Sequence, residues 1–266
     1  LIESESRRFR REDDLTIKSH IQKYYADLYE GMKECRVPIQ TGRDLAAALG
    51  YPLDFLTFIP ESYWKRFVPC GNPLRLLHPV SGERILNLGC GAAIDSFALS
   101  ALYGASVQVV SMDIVFGVLQ KASEVMQCPL EHHCPSAQPQ RAALRWICGD
   151  GEQLPFQPET FQWVLMNGVF NLFPDKVSLL GEVNRVLGPD GRLIGTDLCI
   201  DAPLPEYFHE ERDAWAWCMS GACTEERLTK LLLETGFEKV RVDREEDGEM
   251  FCRAAFSCRK GSSGLF

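Results

Sequence analysis

Two glycines, Gly89 and Gly91, follow directly on the apolar run Ile85, Leu86 and Leu88, and polar residues close the next apolar runs: Asp113, Asp150 and Asn167. Glycine lets a backbone turn sharply and come close to a ligand. A carboxylate at the end of the neighbouring strand, as at Asp113, is placed to accept hydrogen bonds from ribose hydroxyls. Asp150 follows Leu144–Cys148 and can accept from the amino group of an adenine in the same way. These residue types point to an adenosine-containing ligand held beside a glycine turn.

The elements that must position them read as a strand, a turn, a helix and three further strands. Ile85, Leu86 and Leu88 suit a parallel strand covered on both faces. Ile94, Phe97, Ala98, Ala101 and Leu102 recur at helical steps, so a helix N-terminus aims unpaired amides at the turn. Ser106–Asp113, Leu144–Cys148 and Phe161–Met166 supply the other strands, the last ending at Asn167. A dinucleotide dehydrogenase uses the same unit with a third glycine near the helix start. Ala93 and Ile94 stand there instead and give a pyrophosphate a less open approach.

In this order the runs LNLGCGAAIDSFAL, SMDI, CGDGEQLPF, FQWVLMNGVFNLFPD and VNRVLGPDGRLIGTD resemble a class I S-adenosylmethionine-dependent methyltransferase. The resemblance implies an α/β, Rossmann-like fold: a mostly parallel sheet with an antiparallel C-terminal hairpin, preceded by an N-terminal helical extension. It implies S-adenosylmethionine as cofactor and a small molecule as methyl acceptor. Carried over by position, it sets Gly89 and Gly91 against the methionine part, Asp113 with its neighbour Ile114 at the ribose, and Asp150, between Gly149 and Gly151, at the adenine. Asn167 lies under the methionine end. The family carries an acid where this chain has Asn87, whose amide oxygen accepts hydrogen bonds without a charge. A weaker hold on the cofactor ammonium is expected.

The chain has 266 residues, 45% of them hydrophobic, enough for one α/β core with extensions. Residues 1–70 read as the helical extension and 71–266 as the methyltransferase domain with a C-terminal substrate segment. A net charge of −9 argues against a broad nucleic-acid surface. The basic run Arg7, Arg8, Arg10 and Arg11 is flanked by acids and reads as a solvated start. Eleven scattered cysteines, no apolar stretch of membrane-spanning length and no signal-peptide core make the cytoplasm the expected compartment. Leu1 rather than Met opens the chain, which leaves room for a preceding segment.

In the extension, Ile17, His20, Ile21, Tyr24, Tyr25 and Leu28 fall at helical steps, and Asp44–Leu49 forms a further helical stretch before Gly50. Beyond Asp197, Pro203 and Pro205 break the chain. Thr224 then caps a helix from Glu225, Gly236 stops it, and a hairpin follows.

Ile21–Tyr25, Phe67–Cys70 with Gly71–Leu74, Trp217–Ala222 and the run NLFPDK at 171–176 resemble, in that order, the arsenite methyltransferase branch of the superfamily. This implies trivalent arsenic gathered by thiolates, with Cys70 and Cys218 at two of the positions and Tyr25, beside Tyr24, closing over the cofactor or packing the helix. At the third thiolate position this chain has Gly168. Cys35 matches another position loosely, and Cys199 or Cys223 could substitute. Cys90 and Cys148 are expected to be packing residues. Cys128, His132, His133 and Cys134 are zinc-type side chains at a spacing that fits no zinc pattern, so a surface insertion without metal is expected.

An arsenic or sulfur lone pair needs no base. A hydroxyl or an acidic carbon does, and His209, Glu210 and Glu211 are then candidates, or else a solvated helix face. Three readings stay open: methylation of a soft acceptor, methylation of an oxygen, nitrogen or carbon acceptor in an organic molecule, and a non-catalytic cofactor-binding module.

Overall fold

The computed structural model describes residues 2–31, 41–127, 143–202, 204–205, 208, 211–246 and 250–262. Cys35, Cys128, His132, His133, Cys134, His209 and Glu210 lie outside them. The helices in chain order are α1 (Ile2–Glu30), α2 (Gly42–Ala48), α3 (Glu61–Trp64), α4 (Ile94–Tyr103), α5 (Phe116–Gln127), α6 (Lys176–Val186), α7 (Arg212–Ala216) and α8 (Glu225–Glu234). The strands are β1 (Arg84–Leu88), β2 (Gln108–Asp113), β3 (Ala143–Cys148), β4 (Phe161–Asn167), β5 (Leu187–Ile200), β6 (Phe237–Glu246) and β7 (Phe251–Lys260).

Among the described residues one sheet runs in the order β3-β2-β1-β4-β5-β7-β6. β3, β2, β1, β4 and β5 are mutually parallel, whereas β7 pairs antiparallel with both β5 and β6. This is the expected Rossmann-like sheet with its antiparallel edge. Strand order reverses between β1 and β4, and the crevice beyond the carboxyl ends of such a pair is where open α/β sheets bind ligands. Gly89 follows β1 there and Asn167 ends β4.

Alternation along the strands divides the core into two layers. Ile85, Val109, Trp163 and Leu165 join a cluster that contains Phe97 and Ala98 of α4 and Tyr51, Leu56, Trp64 and Phe67 of the N-terminal region. Leu86, Leu88, Val164 and Met166 face a second cluster with Leu179, Leu180 and Val183 of α6 and Leu228, Leu231 and Leu232 of α8. Thr224 caps α8, its side chain accepting from the Arg227 amide at 3.2 Å, and Gly236 beyond it has φ +87°.

The same alternation turns Asn87 away from the ligand crevice. Its side chain points to the α4 face, is 1% exposed, and donates to Ser96 Oγ at 2.8 Å, which lies 2.7 Å from Ser111 Oγ. Cys148, expected to pack, is exposed, because β3 is the edge strand and the residue ends it.

Candidate functional site

A cleft of about 990 Å³, its open mouth included, lies across the carboxyl ends of β1, β2, β3 and β4. Tyr25, Gly89, Gly91, Asp113, Ile114, Gly149, Asp150, Gly151 and Asn167 all line it. Asn87 does not.

The glycine turn fits this place only as glycine. Gly89 has φ +68°, and a Cβ there would lie 2.2 Å from Val169 Cγ2; a Cβ on Gly91 would lie 2.4 Å from the Tyr29 hydroxyl. Asp113 is pinned beside the turn. Its Oδ2 accepts from the Gly91 amide and its Oδ1 from the Val115 amide, both at 2.9 Å. A carboxylate has further lone pairs, so Asp113 keeps capacity for ribose hydroxyls. Burial pushes its pKa up, and those amide contacts oppose the rise. Asp150 spends Oδ1 on the Glu152 amide at 2.9 Å and meets Lys18 Nζ with Oδ2 at 2.7 Å.

Among the lining residues that sequence reasoning missed are Lys18, Tyr29 and Asp95. Asp95 opens α4 and is 4% exposed. It accepts from the Tyr51 hydroxyl at 2.6 Å and from Asn167 Nδ2 at 3.1 Å. Burial raises its pKa to about 6 against those bonds. It brings a carboxylate to the cleft lining, where Asn87 does not reach.

Asn167 is a hub. Its Oδ1 accepts from the Cys70 amide (3.1 Å), the Gly71 amide (3.3 Å) and Thr196 Oγ1 (2.8 Å). Its Nδ2 donates to Gly71 O, Asp95 and the Tyr51 hydroxyl. With these partners it fixes the Cys70–Gly71 loop over the end of β4.

At that end the structure brings Cys70 and Cys218 together. The Cys218 thiol donates to Gly168 O at 3.2 Å, and the Sγ of Cys70 lies 3.8 Å from Asp197 Oδ1 and 3.1 Å from where a Cβ on Gly168 would sit. Cys218 is 5% exposed and adopts φ +61°, a left-handed conformation uncommon outside glycine. The neighbouring Cys70 thiol and then burial hold its thiol well above its ordinary pKa. A Cβ on Gly168 would lie 3.1 Å from Cys70 Sγ, so a side chain at this position would enter the same corner.

Cys199 and Cys223 do not join that pair. Both are free thiols whose backbones form a short parallel β-bridge, and Cys199 stands opposite Cys252 across β5 and β7. Among the described residues no group of three or more His, Cys, Asp or Glu is arranged to hold a metal ion. Cys90 is buried and contributes to the cleft lining. Tyr25 lines the cleft and donates to Ala216 O at 2.9 Å, while Tyr24, 4% exposed, accepts from Trp217 Nε1 at 2.7 Å. Glu211 is exposed, caps α7 by accepting from the Asp213 amide at 3.3 Å, and is not among the cleft-lining residues.

The charges in the cleft discriminate between ligands. Asp95, Asp113 and Asp150 face it, and among the described lining residues Lys18 is the one cation, itself engaged by Asp150 and Glu152. Such a lining repels a pyrophosphate and suits an adenosine that carries positive charge.

Residues 79–236, more than half of the chain, match the family model described as a methyltransferase domain. The chain belongs to this family. The chain is similar to an arsenite methyltransferase of Halobacterium salinarum, 30% identical over 203 residues, which are 76% of this chain and 49% of that protein. It is similar to the arsenite methyltransferase of Mus musculus at 29% identity, over 85% of this chain and 59% of the relative. The chain thus spans about half to three fifths of the length of these curated relatives. In fold the chain is similar to an arsenic(III) S-adenosylmethionine methyltransferase from Chlamydomonas reinhardtii, with a TM-score of 0.62 and 23% identity over 85% of this chain and 76% of that one. Among the described residues no helix is long and apolar enough to cross a membrane.

Proposed function

We propose that the chain transfers a methyl group from S-adenosylmethionine to trivalent arsenic held between Cys70 and Cys218. The observation that supports this reading is that Cys70 and Cys218 both meet Gly168, which lines the acidic cleft, although neither cysteine is itself among the lining residues. Bound there, the cofactor supplies an electrophilic methyl group on a sulfonium. Asp113 would hold its ribose, Asp150 its adenine and Asp95 its ammonium. Soft thiolates suit a thiophilic metalloid, and as each sulfur bonds arsenic its proton leaves with a hydroxyl of arsenous acid as water. Cys70 and Cys218 then act by position: they fix an acceptor that already carries a lone pair, and in-line placement supplies much of the rate.

The role of Asp95 gives a pH dependence with a definite sign. Its pKa is raised to about 6, so its negative charge is present above that pH and lost below it. Cofactor affinity is expected to fall as the pH drops through about 6, and Asp95→Asn should flatten this part of the profile. Calorimetric titration of S-adenosylhomocysteine across pH 5–8, on the order of the range in which carboxylates so shifted titrate, checks both. A wild-type profile without this step counts against Asp95.

Gly168 favours a second reading, in which the absent third side chain makes room for an organic acceptor. The two separate in a product assay with S-adenosylmethionine, a reducing thiol, and either arsenite or organic hydroxyl, amine and acidic-carbon acceptors. Methylated arsenic is the expected product. Gly168→Cys should raise arsenite turnover, because its sulfur joins Cys70, at a cost in stability of roughly 1 kcal/mol for a side chain at φ +66°. Turnover of an organic acceptor with none of arsenite, in wild type and Gly168→Cys alike, would overturn the arsenic reading.

A further inference from the structure

One face of α1 lines the cleft: Lys18, Ile21, Tyr25 and Tyr29 recur at three- and four-residue steps and therefore form a single stripe. At one end of it Lys18 Nζ donates to Asp150 Oδ2 at 2.7 Å and to Glu152 Oε2 at 2.5 Å. The side chains of Lys18 and Glu152 are 15% and 11% exposed, so this ion pair is partly shielded from solvent. On its other flank α1 is tied to the segment that carries Cys218. His20 Nε2 lies 2.9 Å from Asp213 Oδ1, Tyr25 donates to Ala216 O, and Trp217 donates to Tyr24. Further along, the Tyr29 hydroxyl lies against the Gly91 backbone, leaving no room for a Cβ.

The helix therefore roofs the cleft: Ile21, Tyr24 and Tyr29 are buried and Tyr29 joins the apolar core, whereas the end that carries Lys18 is tied by polar contacts at the rim. Contacts of that kind at a rim open at lower cost than deep apolar packing. Lys18 is the strongest of them, since charge-assisted hydrogen bonds exceed neutral ones and it makes two. We propose that α1 is a movable roof and that Lys18 is its latch, a positioning residue that sets how fast the cofactor passes in and out of the cleft. The latch sits on Asp150, so it also aims the carboxylate assigned to the adenine. This inference rests on the cofactor reading of the cleft.

The test is stopped-flow tryptophan fluorescence of S-adenosylhomocysteine uptake and release, with calorimetry for the equilibrium constant. The proteins are wild type, Lys18→Met, Lys18→Arg and Lys23→Met, the last at an exposed position on α1 outside the cleft. Lys18→Met should speed both uptake and release by about tenfold, the scale of a lost charged hydrogen bond, with a smaller change in Kd. Lys18→Arg should restore rates near those of wild type, and Lys23→Met should leave them unchanged. Added salt should speed release from wild type and Lys18→Arg but not from Lys18→Met. The salt effect in wild type tests the latch even if Lys18→Met fails to fold. Release that is insensitive to salt in wild type, or equal in Lys18→Met and wild type, overturns the latch while the cofactor reading stands. If wild type binds no S-adenosylhomocysteine, both fall.

Discussion

Replacing either Cys70 or Cys218 by serine is expected to abolish binding of trivalent arsenic. One sulfur cannot chelate, and losing the second anchor of a two-point attachment removes on the order of 10²–10⁴ in apparent affinity. A serine hydroxyl is a hard ligand that does not replace a thiolate. It can still donate to Gly168 O as the Cys218 thiol does, so the fold should persist. Fluorescence titration with arsenite, alongside thermal unfolding, measures both quantities. Cys252→Ser, in the separate thiol group near β5, should bind arsenic as wild type does. Unchanged affinity in Cys70→Ser or Cys218→Ser would remove that residue from the acceptor site.

Asp113→Ala is the second large effect. The carboxylate is held by the Gly91 and Val115 amides so that its remaining lone pairs face the cleft. Charged hydrogen bonds are worth about 1.5–3 kcal/mol each, so the loss of two should weaken S-adenosylhomocysteine binding by at least about tenfold. Asp113→Asn keeps acceptor oxygen without charge and should fall between wild type and alanine. Equal dissociation constants for wild type and Asp113→Ala, by calorimetry, would take Asp113 out of the cofactor site.

The parts of the site carried by strand ends were legible in the sequence. Parallel strands buried on both faces are continuous apolar runs, so Ile85–Leu88 and Phe161–Met166 announce where they stop, and what stands at the stop faces the cleft. Gly89, Asp113, Asp150 and Asn167 were found on that basis. The rest depends on what another element brings across. Lys18 and Tyr29 belong to α1 and reach the cleft only because the helix lies over it. Asp95 sits in the first turn of α4 and reads as an N-terminal acid until Tyr51 and Asn167 close around it. Asn87 was aligned with a cofactor contact by resemblance, yet the strand pleat turns it to Ser96 and Ser111. Cys148 looked like a core residue because edge and central strands share an apolar pattern. The approach of Cys70 to Cys218 was implied only by resemblance, because the loop, Asn167 and α7 that bring them together are far apart in sequence.

The most direct test of the acceptor site is a crystal structure with S-adenosylhomocysteine and trivalent arsenic, with anomalous scattering recorded at the arsenic edge. A single anomalous peak within bonding distance of the sulfurs of both Cys70 and Cys218, facing the cofactor sulfur, is the predicted result. A peak at Cys199 and Cys223 instead, or none while the cofactor product is bound, would contradict it.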